Sequence, residues 1–192
     1  IRVETGLERG QVTVSVADDG SAPASTSRTF HLTLTTRSLA LGEGVGMPGL
    51  PLEVPLTLSS PAGGDNAVAF SVQFDARWLR FEGVNLGTGA AAARLVINDL
   101  ELAAGRVGLF IALPAGQSFD PGTTELATLR FRVADEAPAT NSPLEFVNGP
   151  VPREVVNAAA APLRAVYHPG RTLVILGFEA DVAPRPTGNT NG

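Results

Sequence analysis

Ala67-Val-Ala-Phe-Ser-Val-Gln-Phe-Asp-Ala-Arg-Trp-Leu-Arg-Phe-Glu-Gly-Val84 decides how the chain folds. Val68, Phe70, Val72 and Phe74 share one parity, and Ala67, Ala69, Ser71 and Gln73 share the other. A period of two predicts a strand with one face on a core and the other facing water or a partner. Ala67, Ala69, Ser71 and Gln73 are therefore the candidate interface. Asp75-Ala-Arg77 is expected to turn the chain, with Asp75 capping the corner before Trp78. A second strand is predicted over Leu79–Leu86.

The same alternation extends both ways from this strand pair. In Leu50-Pro-Leu-Glu-Val-Pro-Leu-Thr-Leu58, the residues Leu50, Leu52, Val54, Leu56 and Leu58 are expected to point inward. Pro51 and Pro55 lack ladder donors, which predicts an edge position or a bulge. Ser38–Leu41 reads as a short first strand, and the residues around Gly42 to Gly49 as a turn region. Asp65 and Asn66 read as loop oxygens. Residues 95–97 and 106–113 read as strands, with Gly105 leading the second. Residues 125–133 alternate with Leu129, Phe131 and Val133 inward and Arg130 and Arg132 outward. A short strand follows at 144–147, residues 151–163 are irregular or a paired edge, and 171–176 closes the domain. Many short strands separated by turn signals predict an all-β, antiparallel jelly-roll or immunoglobulin-like sandwich over residues 38–176.

Residues 1–37 hold two further alternating segments, at 12–16 and 29–35, as extra N-terminal strands. Two strands alone are marginally stable in water. They are expected to complete a sheet begun upstream or to pair with another chain. Asp18 and Asp19 lie in the polar loop between them and are the candidate calcium ligands; the competing reading is ordinary turn chemistry. The chain starts without Met inside an already patterned segment, which reads as a piece of something longer. Residues 177–192 read as a linker or the start of another module.

Composition narrows the function. The chain carries a net charge of -5, and its 14 basic residues are all Arg and scattered, so there is no electrostatic footprint for nucleic acid. No apolar run approaches the roughly 20 residues of a membrane-spanning helix. Cys is absent, which rules out a disulfide framework and a thiolate site. His31 and His168 are far apart with no ligand spacing around them, and both read as surface residues. Glu82, Asp99, Glu101 and Asp120 show no pairing of the kind glycoside hydrolysis needs. Trp78 is the only Trp and Tyr167 the only Tyr. A sugar platform usually uses several rings, so core packing is the favoured role for Trp78. No nucleophile, metalloprotease or phosphate-loop motif occurs.

Three resemblances add to this. Val54-Pro-Leu-Thr-Leu58, the aliphatic strand ending Phe74-Asp75, the corner with Leu79 and Phe81, Gly105-Arg-Val-Gly-Leu-Phe110 and Glu125-Leu-Ala-Thr-Leu-Arg-Phe-Arg-Val133 together resemble the cohesin family. That resemblance implies a jelly-roll sandwich and a dockerin-type partner. It also implies a departure: cellulosomal cohesins carry a dockerin-contacting Asn and Asp where this chain has Ala67 and Ala69. Residues 1–37 resemble the last two strands of the tandem immunoglobulin-like repeats of large bacterial surface proteins. Asp181-Val182 and Asn189-Thr-Asn191-Gly192 resemble the opening of a dockerin calcium loop, without its closing acid. The expectation is a non-catalytic, extracellular structural or protein-interaction module of a bacterial surface or secreted protein. It could serve as a filament subunit joined by strand pairing, with carbohydrate-binding or dockerin-binding as the alternative. It requires no cofactor, and calcium is the one candidate ion.

Overall fold

A computed structural model describes residues 9–17, 25–33 and 36–176. The candidate calcium residues Asp18 and Asp19, and the dockerin-like segment after residue 176, lie outside the described residues. Strands β1 (Arg9–Ala17) and β2 (Ser25–Thr33) pair antiparallel, with Arg9 opposite Thr33 and Ala17 opposite Ser25. They form a two-stranded sheet of their own.

The remaining strands build two facing sheets. The first contains β3 (Ser38–Leu41), β5 (Pro51–Ser60), β7 (Leu79–Leu86), β10 (Gly122–Val133) and β14 (Val166–His168), in the order β14-β3-β5-β10-β7. The second contains β4 (Glu43–Gly46), β6 (Asp65–Gln73), β8 (Arg94–Asn98), β9 (Arg106–Ala112), β11 (Thr140–Val147), β12 (Glu154–Asn157), β13 (Pro162–Leu163) and β15 (Gly170–Val174). β6 lies at its centre. β9 and then β8 flank one side of β6. On the other side β12 and β11 divide its length between them, and β15 and β4 follow β11.

The inward parity fills the space between the sheets, as the alternation predicts. Val68, Phe70 and Val72 from β6 meet Leu52, Val54, Leu56, Leu58, Leu129 and Phe131 from the first sheet, all buried. Phe74 and Phe81 each stack edge-to-face on Phe131, at 5.3 and 5.7 Å between ring centres, and Phe70 does the same with Phe146 at 5.3 Å. Such pairs add to the burial of apolar area that stabilises the sandwich.

Several sequence expectations are corrected. Leu50 is not in the core but 48% exposed. It sits in the turn before β5, its N–H donating to the Met47 carbonyl, so the strand parity does not yet apply. β5 is not an edge strand, for it lies between β3 and β10; the other alternative, a bulge, is the one found, since β10 bulges between Glu125 and Ala127, where Ala127 pairs with Leu56 and Thr128 with Pro55. Its Pro55 is accommodated where the neighbouring strand leaves the sheet. Gly42 N–H still donates to the Pro55 carbonyl at 2.8 Å, while the Gly42 carbonyl, which Pro55 cannot serve, accepts from Arg171. A side chain at Gly42 would strike Pro55 Cγ at 2.6 Å, so the jog between β3 and β4 needs glycine there. Finally, the sandwich is not wholly antiparallel. β14 runs parallel to β3 and β15 parallel to β4, so the first and last strands switch sheets side by side.

Asp65 also departs from its expected loop position. It opens β6 fully buried, accepts from the Ser60 hydroxyl and ion-pairs with Arg37. Arg37 also reaches the Arg164 carbonyl at 3.3 Å, which ties the start of β3 to the segment before β14.

Candidate interaction face

The corner after β6 forms as expected. The Asp75 carboxylate accepts from the Arg77 backbone N–H at 3.0 Å and from its guanidinium at 2.9 and 2.6 Å. The Asp75 carbonyl accepts from Trp78 and Leu79. The Arg77 hydrogen bond holds the Asp75 carboxyl below its ordinary range. Trp78 is half-buried against the core, with the Arg77 guanidinium 5.9 Å from its ring centre. No set of exposed rings accompanies it among the described residues, so the platform a sugar-binding surface needs is not assembled. His168 is exposed, as expected. Among the described residues no group of three or more His, Cys, Asp or Glu could hold a metal ion.

The face left for a partner is the outer side of β8-β9-β6-β11, and its ladders define rows across it. Val96, Phe110 and Ala69 form one row. Arg94, Ala112 and Ala67 flank it on one side, and Asn98, Gly108 and Ser71 on the other. Arg106, Gln73 and Glu145 form a polar row beyond. There Arg106 pairs with Glu101 at 2.9 Å, and Gln73 donates to the Ala104 carbonyl at 3.4 Å.

The four candidate interface residues do share one parity of β6, but only half of that row is accessible. Ala69 and Gln73 are half-buried, whereas Ala67 and Ser71 are buried. Ala67 is a short side chain on a central strand, flanked by Ala112 and Val156. Ser71 is roofed by the loop between β11 and β12. Its hydroxyl donates to the Val151 carbonyl at 2.8 Å and accepts from the Val151 N–H at 2.7 Å. Gly108 makes room for this loop, since a Cβ there would meet Val151 Cγ2 at 2.5 Å. Farther along the sandwich, Tyr167 stacks edge-to-face on Phe146 at 5.2 Å under the Arg153 guanidinium, and burial raises its hydroxyl pKa.

The accessible apolar centre of the face is instead Val96, 45% exposed, beside Phe110, 38% exposed. Sequence reasoning assigned residues 106–113 to a strand but gave Phe110 no side. The signal was present: Arg106, Gly108, Phe110 and Ala112 share the parity opposite Val107, Leu109 and Ile111. A Phe among polar and small residues on the outward parity marks an exposed ring.

No family model matches the chain, and no curated protein matches it in sequence. Solved structures do resemble it. CaCohA2 from Clostridium acetobutylicum superposes with a TM-score of 0.60 at 21% identity, over 74% of this chain and 92% of that one. The sixth cohesin of scaffoldin B from Acetivibrio cellulolyticus, solved with a Cel5 dockerin mutant, gives 0.64 at 18% identity, over 73% of this chain and 100% of that one. A non-cellulosomal cohesin from the archaeon Archaeoglobus fulgidus gives 0.61 at 13% identity, over 73% and 92%. The two-sheet sandwich of this chain is a cohesin-like fold.

Proposed function

We propose that the sandwich is a non-catalytic protein-interaction module whose docking surface is the outer side of β8-β9-β6-β11. One observation carries this reading: Val96 and Phe110 lie side by side as an exposed apolar pair on an otherwise small and polar face. Interfaces are anchored by such buried-on-binding aromatic groups inside a polar rim. The Acetivibrio cohesin solved with a dockerin makes a dockerin-like module the first partner to test. The alanines at positions 67 and 69 argue that the contacts here are apolar, centred on Phe110, rather than hydrogen bonds from β6. An extracellular place in a bacterial multidomain protein fits this role.

Calorimetric titration of the purified chain with a panel of dockerin modules tests the proposal. Binding by at least one, weakened about tenfold or more by Phe110→Asp, is the expected result. If none binds, the dockerin partner is wrong; if binding ignores Phe110→Asp, the face is wrong.

A second reading has its own support. Among the described residues β1 and β2 form a two-stranded sheet by themselves, and an isolated hairpin is marginal until further strands join it. Recruitment of a strand from a neighbouring subunit would make the chain a filament subunit. Electron microscopy of concentrated protein decides this, and particles without any elongated assembly exclude it.

A further inference from the structure

Among the described residues, β8 closes one side of the second sheet and pairs only with β9. Natural edge strands are commonly protected by lysine, proline, a bulge or a covering loop. In Arg94-Leu-Val-Ile-Asn98 the only charge is Arg94, at one end, and the register with β9 is continuous. Each face of the strand carries one exposed apolar side chain, while Leu95 packs partly against the core. Val96 on the outer side is 45% exposed, and Ile97 on the opposite parity is 38% exposed. Leu100, just beyond the strand, is 87% exposed. A partner lying flat on the outer face would cover Val96 and Phe110 but leave Ile97 in water. Only a strand added in the plane of the sheet covers both parities at once.

We infer that β8 pairs antiparallel with β8 of a second copy, making one continuous sheet across a two-fold axis at Val96. Charge complementarity selects a second copy. The strand begins at exposed Arg94 and ends at Asn98, followed by exposed Asp99. An antiparallel two-fold sets the Arg94 of each copy beside Asn98 of the other and one residue from its Asp99. A parallel arrangement would instead stack Arg94 on Arg94 and Asp99 on Asp99, which is unfavourable. The axis brings Val96 against its own counterpart on one side and sets Ile97 of each copy beside Leu95 of the other on the opposite side. Such a contact is isologous and closed, so it stops at a dimer. The contact shares Val96 with the proposed docking face, but its pairing runs along the free edge of β8 and needs no partner on that face.

Sedimentation velocity of the full chain, up to roughly 1 mM because a short-strand interface is at the small end of the specific range, tests it. The expected result is a concentration-dependent dimer. Val96→Lys and Val96→Glu each place like charges at the axis and are expected to weaken dimerisation about tenfold or more. An equimolar mixture of the two variants is expected to dimerise again, because the axis then pairs Lys with Glu. Thermal unfolding of each variant checks that the fold is kept. A wild-type chain that stays monomeric overturns the inference, as does a dimer indifferent to both substitutions. So does a mixture of folded variants that fails to recover. Recovery of the mixed dimer without recovery of dockerin binding separates this contact from the docking face.

Discussion

Ser71→Ala removes the single hydroxyl that fastens the Val151 loop over the middle of the second sheet. Ser71 is fully buried, and its oxygen both donates to the Val151 carbonyl at 2.8 Å and accepts from its N–H at 2.7 Å. An alanine methyl can neither donate nor accept, so both bonds are lost. If the loop stays seated, two backbone groups lose their partner, at a cost of about 1–3 kcal/mol for each buried group left unpaired. Val151 is only half-buried, however, so the loop has a cheaper response, which is to lift and let water bond those groups. The global loss of stability is therefore expected to stay at the low end, near 1 kcal/mol. The local effect is larger. Hydrogen exchange at the Val151 amide reports loop opening directly. A change of about 1–3 kcal/mol in that opening corresponds to roughly 5- to 150-fold faster exchange. Amides in β5 and β10 should accelerate only by the small global term. Equal acceleration everywhere, or none at Val151, would refute the fastening role of Ser71.

Other substitutions probe the frame. Arg37→Ala leaves the Asp65 carboxylate buried with only Ser60 as partner. It should cost about 3–5 kcal/mol in denaturant unfolding, and Arg37→Ala with Asp65→Asn should recover part of it. Gly105 holds a φ of 71°, and a Cβ there would lie 2.3 Å from the Phe74 carbonyl oxygen. Gly105→Ala should lower stability by at least about 1–2 kcal/mol, and an unchanged melting temperature would contradict that geometry. Asp75 has a folded pKa below its ordinary 3.8, so its contribution is complete above that value and is lost as pH falls through the folded pKa. Asp75→Asn should flatten the acid side of the stability profile, by less than about 1 kcal/mol because the pair with Arg77 faces solvent.

Much of the sandwich was legible because alternation is a local property. Val54, Leu56 and Leu58, or Leu129, Phe131 and Val133, face the core whatever the rest of the chain does. Edge and centre were not legible, since they depend on neighbours. Pro55 marks an edge by propensity, yet it tolerates a central position because Gly42 gives its carbonyl to Arg171, a residue far along the chain. Which members of the candidate row stay accessible was not legible for the same reason. Ser71 reads as outward, and it is outward, but Val151 arrives over it from 80 residues away. Phe110 was legible in principle and was passed over because every residue around it also suits a strand.

The jog shared by the first and last strands has a mechanical consequence. β3 and β4 run together from Ser38 to Gly46, and β14 and β15 run beside them in the same direction from Val166 to Val174. The chain thus enters the sandwich at one end of this paired track and leaves it at the other, roughly 30 Å away at the usual rise per residue. Tension along the polypeptide pulls the two strands past each other lengthwise. The hydrogen bonds between them are loaded together and must yield together, instead of opening one at a time as a hairpin pulled from its free ends would. Parallel pairing at the seam therefore resists unravelling when the sandwich is pulled from its two ends.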